Sequence, residues 1–155
     1  MTSTAIVYDI EETDLSAIRP LIAELIEALD DPSGFDLDRA VENCRALLGR
    51  PDHRLLAARI QGTTCGFVHL TTRQSILHDR PTGLIDELVV SRDFRGRGVG
   101  RLLMDAALDR CRDLGCCEAE VSTETSNLQA QKFYRKCGFD TEGVLFEMHF
   151  PVRLR

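Results

Sequence analysis

Apolar and polar positions change period repeatedly along the 155 residues, and each change predicts a new element. Apolar residues three or four apart predict helices, whereas alternation and short apolar runs predict strands. The predicted helices begin near Asp14, Asp36, Gly98 and Asn127. The predicted strands are residues 5–10, 54–60, 65–72, 83–91, 117–123 and 144–150. Strands and helices follow one another without a linker or repeat, which favours one domain over residues 1–155.

The ends of the first two helices carry recognisable signals. Thr13 or Asp14 can cap the first helix, and Pro20 within it is expected to cause a bend. Asp36 opens the second helix and Gly49 closes it.

The predicted strand at 83–91 contains two adjacent carboxylates, Asp86 and Glu87, between apolar residues. Charges in a central strand cost free energy unless they face a cleft or a partner. We therefore expect at least one of the two to be functional. The alternative is an edge strand whose Asp86 faces water.

A glycine-rich turn follows this strand and leads into the third helix. Gly96, Gly98 and Gly100 allow close backbone approach, and the amides at a helix start favour an anion. Four arginines lie in the same stretch, Arg92, Arg95, Arg97 and Arg101. The combination predicts a pyrophosphate site, the alternative being a turn with solvated arginines.

Two familiar phosphate motifs do not fit this turn. The P-loop requires a lysine after its second glycine, and both lysines of the chain, Lys132 and Lys136, lie elsewhere. The dinucleotide fingerprint fails because its third glycine would fall on Arg101. Glu120, about twenty residues downstream, keeps a nicotinamide-dependent oxidoreductase as a weaker alternative.

The segment Arg95-Gly96-Arg97-Gly98-Val99-Gly100 matches the pattern of Arg or Gln, two residues, Gly, one residue, and Gly or Ala. Here the sequence resembles the GCN5-related N-acetyltransferase (GNAT) superfamily. The preceding strand LIDELVV and the later motif from Asn127 to Phe139 extend the resemblance over residues 84–139. It implies an α/β fold with a mixed sheet of about six to seven strands and about four flanking helices.

The resemblance also implies which residues bind the acetyl-CoA co-substrate. The pantetheine arm would pair like an extra strand with Leu88, Val89 and Val90, where the strand splays from its neighbour. An N–H near Val90 would polarise the thioester carbonyl. The pyrophosphate would lie on the amides of Arg95, Gly96, Arg97, Gly98, Val99, Gly100 and Arg101. Ser126 or Asn127 is expected to cap the fourth helix, and Asn127 is also a candidate cofactor contact.

Tyr134 and the strand carboxylates are the candidate catalytic residues. In similar enzymes the tyrosine at the position of Tyr134 protonates the leaving thiolate and contacts the cofactor; the alternative is a core tyrosine. Asp86 or Glu87 would deprotonate the acceptor ammonium, directly or through water. Neighbouring strand residues face opposite ways unless a bulge intervenes, and we favour Glu87 slightly.

Charge is unevenly distributed along the chain. Eleven acidic residues and two arginines give residues 1–42 a net charge of −9, within a total of −6. The total makes nucleic acid an unexpected partner. The acidic segment supports a cationic amine as the acceptor, and a solvated acidic helix face is the alternative.

Other classes of site are disfavoured by composition. No apolar run approaches the length of a membrane span, and the N-terminus lacks the features of a secretory signal, so a cytoplasmic location is expected. The six cysteines are then expected to be free thiols. The histidines are scattered along the chain and there is no CxxC pattern, so we expect no metal site.

The sequence therefore predicts an acetyl-CoA-dependent N-acetyltransferase acting in a ternary complex. The acceptor is a small-molecule primary amine, with a peptide or protein amino group as the alternative. A non-catalytic acyl-CoA-binding module is the alternative of another class, and a homodimer is a candidate assembly.

Overall fold

The computed structural model describes residues 4–151 and divides the chain into two compact units, Met1–Val121 and Ser122–Arg155. The first unit contains β1 (Ile6–Asp9), α1 (Leu15–Glu27), α2 (Leu37–Leu47), β2 (His53–Ile60), β3 (Thr63–Arg73), β4 (Thr82–Val90), α3 (Val99–Asp113) and β5 (Glu118–Val121). The second contains α4 (Leu128–Lys136). The predicted α/β fold is confirmed, and the single domain stays a prediction. No helix within 4–151 is long and apolar enough to cross a bilayer.

The sheet of the first unit has the order β1-β2-β3-β4-β5. The first four strands pair antiparallel, whereas β5 pairs parallel to β4. The β4–β5 ladder runs only from Thr82–Glu118 to Ile85–Val121. The second half of β4, residues 86–90, therefore extends beyond its pairing with β5.

Helices cover both faces of this sheet. The core beneath α1 and α2 includes Leu55 and Ala57 of β2, Phe67 of β3 and Val89 of β4. The alternate residues face α3, where Leu103 and Met104 are fully buried. Side chains of β3 in phase with Phe67, and side chains of β4 in phase with Val89 on the same side of any bulge, thus lie on the side of α1 and α2.

Two of the predicted helix caps are confirmed and one is wrong. Asp36 accepts the Arg39 N–H at 2.7 Å, and Asn127 accepts the Ala130 N–H at 3.1 Å. Asp14 makes no such bond to α1. Its carboxylate instead accepts the Glu11 N–H, because the preceding residues form a 3-10 turn.

The predicted strand at 144–150 is absent, and the expected six to seven strands are five within residues 4–151. Val144, Phe146 and Phe150 are each at least 80% exposed. Apolar periodicity shows which residues could be buried, but a strand also needs a neighbouring ladder of N–H and C=O groups. The second unit supplies no such ladder to this segment.

Candidate active site

Asp86 and Glu87 occupy a β-bulge in the middle of β4. Glu87 lies opposite His69 of β3, but the next pair is Ile85 with Leu70, so Asp86 is an extra residue. A bulge of this kind re-aims a side chain that regular pleating would send to the other face. Both carboxylates can therefore project on one side of the sheet.

The hydrogen bonds confirm that they do. Glu87 Oε2 lies 2.6 Å from Nδ1 of His69, and the Thr71 hydroxyl donates to Asp86 Oδ2 at 2.7 Å. His69 and Thr71 are two residues apart in β3, in phase with Phe67 and hence on the side of α1 and α2. The Glu87 side chain is 44% exposed and that of Asp86 26%, so solvent reaches both.

His69 and His53 complete this cluster, and sequence reasoning missed them. Nδ1 of His53 lies 2.8 Å from Nε2 of His69, across the β2–β3 ladder. His53 lies 16 positions before His69, and His69 lies 18 positions before Glu87, so no local sequence motif contains the three residues. The sequence did contain one signal for them. Each histidine lies in an apolar strand, two residues from a core residue on the side of α1 and α2, His53 from Leu55 and His69 from Phe67.

The glycine-rich turn has a backbone geometry that depends on its glycines. After a 3-10 turn at Arg92–Phe94, Gly96 has φ 73° and Gly98 has φ 81°, values that side-chain-bearing residues rarely adopt. A Cβ atom added at either glycine would meet nothing within 4 Å. Because α3 begins at Val99, the amides of its first turn lack partners within the helix and are available to an anion.

The arginine side chains of the turn are engaged with the protein. Arg92 forms an ion pair with Glu27 at 2.6 Å, and Arg95 donates to the Val90 carbonyl at 3.1 Å. Arg97 lies over the ring of Phe94 and Arg101 binds Asp105. In this conformation the turn therefore offers an anion backbone amides rather than free guanidinium groups.

Glu24 anchors the start of the turn to α1. Its carboxylate accepts the Ser91 hydroxyl at 3.2 Å and the Arg92 N–H at 3.0 Å. Many other acids of residues 1–42 are also paired with arginines, namely Asp9 with Arg110, Glu12 and Glu42 with Arg45, Asp14 with Arg59, and Asp38 with Arg19. Much of the net charge of the acidic segment is therefore neutralised locally.

Tyr134 lies on α4 in the second unit. Its ring makes edge contacts with Phe133 and Phe139, with centroids 5.5 and 6.0 Å apart. Burial, and secondarily the nearby Cys137, raise the pKa of the phenol above its usual value. Tyr134 is therefore a neutral O–H donor near pH 7.

A comparison with protein families assigns the chain to a family. Residues 16–139 match the model of the "Acetyltransferase (GNAT) family". The chain belongs to the GNAT family. The predicted resemblance is thereby confirmed over most of the sequence.

Among curated relatives, the GNAT chain is 32% identical to an uncharacterized N-acetyltransferase of Archaeoglobus fulgidus over 80% of its own length and 85% of that protein. It is 33% identical to "Aminoglycoside N(6')-acetyltransferase type 1" of Stenotrophomonas maltophilia over 59% of its length and 62% of that enzyme. A match to mycothiol acetyltransferase of Propionibacterium freudenreichii, at 38% identity, covers 55% of this chain and 27% of that enzyme. The chain thus spans less than two thirds of several relatives.

Solved structures share the fold of this GNAT protein. The aminoglycoside N-acetyltransferase AAC(6')-Iy in complex with CoA superimposes with a TM-score of 0.83 at 24% identity, over 96% of this chain and 97% of that one. The ribosomal-protein-alanine N-acetyltransferase of Brucella melitensis superimposes with a TM-score of 0.79 at 20% identity, over 96% of this chain and 100% of that one.

Proposed function

We propose that this GNAT protein transfers the acetyl group of acetyl-CoA to the primary amine of a small cationic acceptor by direct attack in a ternary complex. The observation that carries the proposal is the paired carboxylates of the β4 bulge, followed within ten residues by an anion-binding turn. A general base and a diphosphate cradle are thereby on one continuous stretch of chain.

Two features support the donor site. The residues beyond the β4–β5 ladder, with Leu88, Val89 and Val90 at their end, offer backbone groups to a pantetheine arm. The open space at Gly96 and Gly98 suits the close approach of a pyrophosphate to the amides. Asn127 already caps α4, and a cofactor contact for it stays a prediction.

Proton balance assigns the carboxylate its task. An alkylammonium must lose one proton before its lone pair can attack the thioester carbon, and in this proposal Glu87 accepts that proton. The C–N bond forms as the C–S bond breaks, and the thiolate takes a proton from Tyr134. The second proton of the attacking nitrogen returns the phenol to its neutral form through solvent, so one net proton is released.

The preference for a cationic acceptor rests on Asp86 and Glu87 rather than on the acidic segment as a whole. Two carboxylates, each within 4 Å of one imidazole nitrogen, favour a positive group beside them. Relatives include enzymes named for aminoglycosides and for glucosamine 6-phosphate, all amines. An amine acceptor fits the same chemistry here.

A panel of amines tests the proposal through release of free thiol from acetyl-CoA. Polyamines and aminoglycosides should react well, whereas neutral or anionic amines of similar size should react at least about tenfold more slowly, since one lost charge contact costs on the order of 1 kcal/mol or more. Equal rates across charge classes would refute the cationic preference.

Two alternatives give different results in the same panel. Thiol release only with peptides bearing a free amino terminus would replace the small-molecule acceptor with a peptide one. CoA binding without thiol release for any amine would indicate an acyl-CoA-binding module. The cytoplasmic location and the homodimer stay predictions.

A further inference from the structure

Glu87 stands at one end of an unbroken row of hydrogen bonds across three strands. Glu87 Oε2 lies 2.6 Å from His69 Nδ1, and His69 Nε2 lies 2.8 Å from His53 Nδ1. The two imidazole planes differ by 14° and their centroids are 5.1 Å apart. This is the spacing of rings joined edge to edge by the hydrogen bond, with the lone pair of one nitrogen aimed at the N–H of the other.

The middle of the row is buried and its carboxylate end is not. The side chains of His69 and His53 are 10% and 14% exposed, against 44% for Glu87. Asp52 Oδ2 lies 3.5 Å from His53 Nε2, and Asp86 Oδ2 lies 3.9 Å from His69 Nδ1. The charge of Arg50 also acts on His53, and burial together with the charge of Glu87 raises the pKa of the Cys44 thiol on α2.

The direction of each hydrogen bond is set by the chemistry of the ends. An ionised carboxylate only accepts, so His69 Nδ1 must carry a proton and donate to Glu87. Burial lowers the pKa of His53, which keeps its ring neutral near pH 7 with a single N–H. If His69 is also neutral, its Nε2 must accept, and the N–H of His53 must therefore be on Nδ1.

We infer that His53 and His69 are positioning residues for Glu87: His53 fixes the tautomer of His69, and the Nδ1–H of His69 holds Glu87 as an ionised, oriented base. This inference rests on the proposed function. One carboxylate oxygen, Oε2, is held by His69, and the other, Oε1, accepts the ammonium proton. In that step an N–H bond breaks, an O–H bond forms, and the electron pair stays on the attacking nitrogen.

A purely structural pair of buried histidines would show the same distances. The two roles differ in their response to loss of the donor from His53. A positioning role changes the tautomer of His69 and lowers the rate of a folded enzyme, whereas a structural role changes only the fraction of folded protein.

Imidazole ¹⁵N spectra of the full chain test the hydrogen-bond directions without any activity. We expect a protonated Nδ1 and an unprotonated Nε2 for His69 in the wild type. In His53→Leu, His69 should populate both tautomers, and in Glu87→Gln the titration of His53 should move although the two residues do not touch. An unchanged His69 tautomer in His53→Leu together with an unchanged His53 titration in Glu87→Gln would overturn the inference.

Steady-state kinetics of matched variants tests the same inference through catalysis. His53→Gln keeps an N–H donor for His69, His53→Leu removes it, and His78→Leu is a control because His78 bonds to Ser75 in the loop before β4. We expect His53→Leu to lower kcat about tenfold, the lower end of what loss of an orienting partner costs histidines at metal sites, with KM values unchanged. His53→Gln should restore most of the rate.

The rate of the folded enzyme separates positioning from loss of structure. His69→Leu and, less strongly, His53→Leu should lower kcat although the fraction of folded protein stays that of the wild type. His53→Gln and His78→Leu should keep most of the wild-type rate. An active enzyme whose kcat is alike in all four variants overturns the positioning role and leaves the proposed function standing. If no amine is acetylated, the proposed function fails, and the ¹⁵N coupling alone decides whether His53 orients Glu87.

Discussion

Asp86 Oδ2 and Glu87 Oε2 lie 3.9 and 2.6 Å from one atom, Nδ1 of His69. Consecutive strand residues would normally place their carboxylates on opposite faces, and the β4 bulge brings them to the same imidazole. Because Glu87 makes the shorter bond to His69 and Asp86 is bound by Thr71, the two carboxylates are not equivalent. This difference favours Glu87 as the base.

Glu87→Gln should lower kcat by about 100-fold or more, because general bases typically contribute factors of this size. The affinity for CoA should remain that of the wild type. Steady-state kinetics with calorimetric CoA titration measures both quantities. Asp86→Asn is the matched variant and should cost less, since Asp86 supplies charge rather than accepting the proton. A larger loss in Asp86→Asn would exchange the two roles.

Gly98→Val should abolish measurable CoA binding, because a side chain would occupy the open space over the turn amides. Its positive φ of 81° also costs about 1–3 kcal/mol of strain. Gly115→Val at the other end of α3 is the control, since Gly115 has φ 74° and equally open surroundings. Calorimetry should find CoA binding lost only in the first variant; wild-type affinity in Gly98→Val would refute the cradle.

Tyr134→Phe should lower kcat with little change in acetyl-CoA binding, because the leaving thiolate loses its proton donor while the ring remains. Burial raises the pKa of Tyr134, so the phenol is protonated over the neutral range and activity should not fall there from its ionisation. Turnover and CoA affinity of the variant provide the measurement. Unchanged turnover would leave Tyr134 as a core tyrosine.

Stability should decrease as the pH falls below 6.5, in part because of His53. Burial lowers the pKa of His53 in the folded protein below its ordinary value of 6.5. Between those two values the unfolded chain binds more protons, so acid favours unfolding. Thermal melts at about pH 7.5 and about pH 5.5 should differ less for His53→Gln than for the wild type. An equal or larger difference in the variant would contradict the sign.

Gly66→Ala should destabilise the first unit by about 1–3 kcal/mol, the usual cost of overpacking. The added Cβ would lie 2.7 Å from the Val89 carbonyl oxygen and 3.0 Å from Leu103 Cδ1. Backbone at β4 cannot move aside as a flexible side chain could. Gly34→Ala is the control, because a Cβ at Gly34 meets nothing within 4 Å. Urea unfolding of both variants gives the comparison.

Local signals in the sequence predicted the parts of the site that lie close together along the chain. The glycine-rich turn before α3, the caps at Asp36 and Asn127, and the α/β order follow from residue types at neighbouring positions. Such preferences act over a few residues, so a single sequence carries them directly.

Features created by pairing between distant strands were not predictable in this way. The bulge at Asp86 depends on how β4 registers with β3, and the His53–His69 contact depends on how β2 registers with β3. The strand expected at 144–150 was wrong for the same reason, since its alternation says nothing about a partner. Ion pairing is also not visible in the sequence. The acids of residues 1–42 are not all free charges, because their arginine partners include residues of α2, α3 and the turn.

Acetyl transfer itself is the most direct test of the proposed function. Wild-type protein is incubated with acetyl-CoA and a polyamine or aminoglycoside, and free thiol and acetylated amine are measured in the same samples. We predict equal amounts of the two products from the wild type and a large decrease of both in Glu87→Gln. Thiol release without acetylated amine, or no transfer to any amine by a protein that binds CoA, would contradict it.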